Sequence, residues 1–176
     1  MAGHNKWAQI KHKKAATDSK KSKIFGKFSR LITVESKKAH GDTSSPGLRV
    51  VIERAQKENM TADAIDRAVK KGMGSDAGSM EPVLFEAYGP GGCALLLEGL
   101  TDNKNRTVAE IKHILSKRDL SLAGQGAAVW AFNRTNEGYE PTSTIPLSPE
   151  DEQMLSEILE ELDEHDDIQE VYTNAK

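Results

Sequence analysis

Charge is spread unevenly along this chain, and that constrains its architecture more than any other feature. Residues 1–72 hold 17 Lys/Arg against 7 Asp/Glu, whereas residues 73–176 hold 7 against 20, so a formal net charge of -3 conceals a basic front and an acidic back. With 176 residues the chain can build one ordinary core or two small ones, and the break near Gly72 favours two. The expected organisation is a basic helical domain over residues 1–75 and an acidic α/β domain over residues 80–176.

The totals narrow the class further. Hydrophobic residues make up 37% and charged residues 29%, lean in large apolar side chains but above the level of a disordered chain. Cys93 is the single cysteine, so no intramolecular disulfide or thiolate metal cluster can form, and its apolar neighbours mark it as a core residue. No run of 18 apolar residues occurs and the first residues lack the apolar centre of a signal peptide, which points to the cytoplasm and away from membranes.

Periodicity then places the elements. In SKIFGKFSRLITVESKKA, Ile24, Phe25, Phe28, Leu31, Ile32 and Val34 recur at helical spacing, predicting one long amphipathic helix that ends near His40-Gly41. LRVVIERAQKE and TADAIDRAVKKG predict two more helices, the last with Thr61 as N-cap and Gly72 as a C-terminal glycine at positive φ. GMGSDAGS reads as a flexible connector. Beyond it, VLFEAYG and CALLLEGL read as strands joined by the turn GPGG, and NRTVAEIKHILSKRD as a helix that Asn105 can cap. AAVWAFNR and TSTIPL read as further strands. SPEDEQMLSEILEELDE is a helix with Ser148 as N-cap and Pro149 first, and IQEVYT is a last strand. The fold class expected is α+β: three N-terminal helices, then a two-layer α/β domain whose open mixed or antiparallel sheet is covered by helices on one side.

The lysines carry the functional signal. His4, Lys6, Trp7, Lys11, Lys13, Lys14, Lys20, Lys21, Lys23, Lys27 and Arg30 form the candidate nucleic-acid-binding set, followed by Lys37 and Lys38. Such density is self-repulsive until a polyanion binds and releases counterions. Lysine outnumbers arginine there, which favours phosphate contact over bidentate reading of guanine. Trp7 either stacks on a base or ribose or docks onto the helical core. His4 and His12 are better explained by phosphate contact or exposure than by metal. In TDNKNRT, the group Asn103, Lys104, Asn105 and Arg106 sits where a strand hands over to a helix, and serves equally well as a secondary anion contact or as a cap. The acids between Glu150 and Glu170 read as a solvated face rather than a magnesium site, able to repel nucleic acid or meet a basic protein. No nucleophile, base and orienting group can be assembled, so no enzyme, cofactor, metal or small-molecule substrate is expected.

Taken together, MAGHNKWAQIKHKKAATDSKKSKIFGKFSR, KENMTADAIDRAVKKG, FEAYGPGG, LTDNKNRTVAEIKH and DDIQEVYTNAK resemble the YebC/PmpR family, which includes the mitochondrial translational activator of cytochrome oxidase. The resemblance implies a helical domain and two α/β domains, the third inserted into the second. Here only TNEGY follows AAVWAFNR before the chain resumes at YEPTSTIPLSPEDEQ, so the inserted domain is expected to be missing. The resemblance further implies a non-enzymatic cytosolic regulator, with two accounts of its partner. One is DNA, as a transcriptional regulator; the other is the ribosome, as a translation factor contacting RNA. A protein-binding adaptor is the remaining reading. The matching residues are Gly3, His4, Lys6, Trp7, Lys11, Lys13 and Lys14, then Tyr88, Gly89, Pro90, Gly91 and Gly92, then Asn103, Asn105 and Arg106, none with an implied catalytic role.

Overall fold

The structure is a computed structural model that describes residues 18–74, 80–136 and 138–176. The candidates His4, Lys6, Trp7, Lys11, Lys13 and Lys14, and most of the GMGSDAGS connector, lie outside the described residues. The chain divides into two compact units.

The first unit contains helices α1 (Asp18–Lys38), α2 (Pro46–Lys57) and α3 (Ala62–Met73). Their apolar stripes meet in a core of Ile32, Leu48, Val51, Ala55, Met60, Ile65, Ala68 and Val69. Beyond α1 the chain turns through His40 and Gly41, both at positive φ, and the Gly41 amide returns to the Ser36 carbonyl at 2.9 Å. Thr61 caps α3 as expected, its hydroxyl accepting the Ala64 N–H.

Gly72 departs from expectation. It is a helical residue of α3 rather than a positive-φ cap. A Cβ there would come within 2.5 Å of the Thr33 carbonyl oxygen and 2.7 Å of Ser36 Cβ, so glycine is required by the close approach of α1 and α3. Two polar residues on α1 use that closeness. Ser36 Oγ donates to the Val69 carbonyl at 2.7 Å and Thr33 Oγ1 to the Ala68 carbonyl at 3.3 Å.

The second unit is built on strands β1 (Glu81–Tyr88), β2 (Ala94–Thr101) and β5 (Ile168–Thr173), in the order β1-β2-β5. β2 pairs antiparallel with β5, Leu95 opposite Thr173 and Leu97 opposite Val171, with an irregularity between Glu98 and Gly99. Helices α4 (Lys104–Ser116) and α5 (Pro149–Asp163) cover one face, closing a core that includes Leu95, Leu97, Ile111, Leu115, Leu155, Leu159 and Val171. The opposite face is covered too. Ala94, Leu96 and Tyr172 pack there against Ala128, Ala131 and Phe132. With both faces covered, the central strand is apolar along its length instead of alternating.

Three sequence expectations change here. The strand expected at AAVWAFNR shortens to β3 (Phe132–Thr135), because residues Val129–Ala131 form a 3-10 turn. β3 pairs with β4 (Gly138–Pro141), leaving TSTIPL as a segment that touches the sheet through one bridge, Ile145 to Ala175. The cap of α4 is Asn103 rather than Asn105; its Oδ1 accepts the Arg106 N–H at 3.1 Å. Ser148 caps α5, with its hydroxyl accepting the Asp151 N–H and donating to the Asp151 carboxylate. The fold is α+β, helical first and sheet-containing second.

Candidate nucleic-acid interface

Within α1 seven cations, Lys20, Lys21, Lys23, Lys27, Arg30, Lys37 and Lys38, share a helix with two acids, Asp18 and Glu35. Lys20, Lys23, Lys27 and Arg30 are spaced by three, four and three residues, which stacks them along one face. Ile32, Thr33 and Ser36 occupy the buried side of the same helix. α2 and α3 add Arg49, Arg54, Lys57, Arg67, Lys70 and Lys71, all exposed. Some of these charges are tempered locally: Lys38 pairs with Glu35 at 2.6 Å, Lys70 with Asp66 at 2.7 Å, and Arg54 lies over the Phe28 ring.

The secondary group divides into different roles. Asn103 is spent as the α4 cap, while Lys104 and Asn105 are exposed on its first turn. Arg106 turns inward, its Nη2 2.8 Å from the Asp167 carboxylate and 2.9 Å from that of Asp102. Asp167 is 3% exposed and also accepts the Thr107 hydroxyl at 2.8 Å. A buried carboxylate needs such partners, and Arg106 is the charged one.

Glu110, His165 and Asp167 bring three ligand atoms within 4.8 Å of one another. Hydrogen bonds account for that grouping. His165 Nδ1 accepts the Asp167 amide N–H, so Nε2 carries the proton and donates to Glu110 at 2.9 Å. The Arg106 guanidinium supplies the cation beside them.

Sequence reasoning missed one residue that organises the second unit. Glu86 on β1 is only 5% exposed, and its carboxylate accepts N–H groups from Gly126 at 2.6 Å, Ala128 at 2.7 Å and Val129 at 2.8 Å. Burial alone would raise this carboxyl, but the three donors outweigh it and hold it below its ordinary value. Glu86 therefore clamps the loop leading into β3. The signal available in VLFEAYG was a lone acid in an otherwise apolar strand.

Comparison with known proteins gives concordant results. A family model described as the TACO1/YebC protein N-terminal domain matches residues 5–75, and one described as the TACO1/YebC second and third domain matches residues 80–138 and 134–175. The latter's two stretches meet on the β3-β4 hairpin, where the alignment to the longer family pattern breaks. A protein of Fervidobacterium nodosum named probable transcriptional regulatory protein is 46% identical over 173 residues, covering 96% of this chain and 68% of its own. A Natranaerobius thermophilus protein of the same name is 33% identical over 239 aligned positions, more than this chain possesses, covering 99% of this chain and 96% of its own. The crystal structure of a conserved hypothetical protein from Aquifex aeolicus superposes with a TM-score of 0.85 at 28% identity, covering 97% of this chain and 96% of that one. By sequence match along both units and by fold, the chain belongs to the TACO1/YebC family, whose relatives here bear the name of transcriptional regulators.

Proposed function

We propose that this protein is a non-enzymatic, nucleic-acid-binding regulator of gene expression, and that DNA is its target in transcriptional control. The observation that carries the reading is the cationic α1, where Lys20, Lys23, Lys27 and Arg30 line one face of a helix anchored by its opposite side. A row of mostly lysines suits contact with phosphates, which fixes position and contributes affinity with little sequence preference. The relatives' name supplies the regulatory context. In this reading the protein acts in the cytoplasm without cofactor or substrate, and the second unit orients the basic one or meets a protein.

Lysine-dominated contact equally suits structured RNA, so a ribosome-associated translation factor is the second reading. Mobility shifts on genomic duplex fragments, run beside cosedimentation with ribosomes at low and near-physiological salt, decide between them. Selective duplex binding that survives physiological salt supports the transcriptional role. Ribosome retention with only unselective, salt-labile duplex shifts replaces it with the translational one. If joint neutralisation of Lys20, Lys23, Lys27 and Arg30 changes neither, the nucleic-acid reading fails and the adaptor role takes its place.

A further inference from the structure

Tyr88, at the end of β1, and Trp130, in the 3-10 turn before β3, present aromatic surface to solvent: Trp130 is 65% exposed and Tyr88 38%. Leaving an indole in water forgoes the favourable burial of a large apolar group, so its placement calls for an occupant. The polar edges of both rings are already engaged. Trp130 Nε1 donates to the Ala127 carbonyl at 2.7 Å, and the Tyr88 hydroxyl donates to the same oxygen. What the pair offers outward is ring surface rather than a hydrogen-bond donor.

Ala127 belongs to the loop clamped by Glu86, which takes N–H groups from Gly126, Ala128 and Val129 on either side of it. The rings are thereby held in place before any ligand arrives, which lowers the ordering cost of binding. The local charge also suits a polyanion better than the unit's composition suggests. The acids of α5 belong to the helical layer on the other face of the sheet. On the hairpin side stands Arg134, stacked 5.0 Å from the Tyr139 ring centroid and 3.7 Å from Glu98. A protein interface typically uses a tryptophan's N–H as well as its ring; here the N–H is committed internally, which favours a flat ligand that only stacks.

We propose that Trp130, supported by Tyr88, is a stacking platform for an unpaired base of the nucleic acid, an inference that rests on the nucleic-acid reading above. Base-aromatic stacking tolerates sequence, in keeping with contacts made mainly by lysine. The partner class is therefore a strand with at least one unpaired, accessible base.

The test is a fluorescence titration in the Trp7→Phe background, where Trp130 is the sole tryptophan. The probes are a short single-stranded oligothymidylate and an abasic strand of equal length. We expect the base-bearing strand to quench Trp130 and to bind roughly tenfold more tightly than the abasic one. Trp130→Ala should erase that preference and Trp130→Phe should retain most of it, with both variants unchanged in urea unfolding. If Trp130→Ala keeps the full preference, or if binding leaves Trp130 fluorescence unchanged, the platform is refuted while lysine-dependent phosphate binding stands. If wild-type protein self-associates and Trp130→Ala does not, the rings are a protein contact and the proposal falls. Failure of either strand to respond to lysine neutralisation would remove the underlying reading as well.

Discussion

Replacing Glu86 tests whether one buried carboxylate holds the second unit's loop. In Glu86→Ala, three N–H groups lose an ionised acceptor, and Ala128, which carries one of them, is wholly buried. A hydrogen bond to a charged group contributes about 1.5–3 kcal/mol net, and an unsatisfied buried donor costs about 1–3 kcal/mol. Water can rescue the exposed Gly126 amide, and removal of the carboxylate relieves its desolvation, so the expected loss is about 3–4 kcal/mol. Glu86→Gln can keep the oxygen that accepts from Ala128 and Val129 while turning its NH₂ toward Gly126, at a cost of about 1–2 kcal/mol. Urea unfolding followed by Trp130 fluorescence in the Trp7→Phe background reads both values. The acid limb gives a second readout. Because the folded carboxyl lies below its unfolded value, its contribution is complete above the unfolded pKa and is lost as pH falls through the folded one. Glu86→Gln should therefore lose less stability on acidification than wild type. A Glu86→Ala loss under about 1 kcal/mol, or equal losses in both variants, would refute the clamp.

The other predictions are independent of that loop. Gly72→Ala forces a methyl group against the Thr33 carbonyl and should destabilise the helical unit by about 2 kcal/mol in thermal or urea melts, despite alanine's better helix propensity. Asp167→Ala strips Arg106 and Thr107 of their shared acceptor and should cost about 2–3 kcal/mol, with Asp167→Asn recovering part of it by the same assay. Hydrogen bonds from Lys117 and Arg118 hold Glu161 below its ordinary value. Its stabilising contribution, present above the unfolded pKa, should fade as pH drops, and Glu161→Gln should flatten that part of a pH-stability profile. Replacing Lys20, Lys23 and Lys27 with Gln should reduce the slope of log affinity against log salt by up to about 0.9 for each duplex phosphate that is no longer neutralised.

Much of this architecture is local and therefore legible in order along the chain. The stripe of α1, the Thr61 and Ser148 caps and the apolar run of β2 depend on residues within a turn or a strand of one another. The charge division is likewise a property of composition, and the lysine set could be named without coordinates. Where sequence reading failed, the deciding partner was distant. Gly72 looked like a helix stop until α1 came against it, and AAVWAFNR looked extended until the loop held by Glu86 was folded over the sheet. Arg106 appeared as an anion contact because nothing nearby in TDNKNRT reveals Asp167, 61 positions away. Hydrophobic period and capping chemistry determine elements, since they act over a few residues. Only tertiary structure decides which polar side chain is buried, and whether a ring is left facing water, because both depend on surfaces brought together from remote parts of the chain.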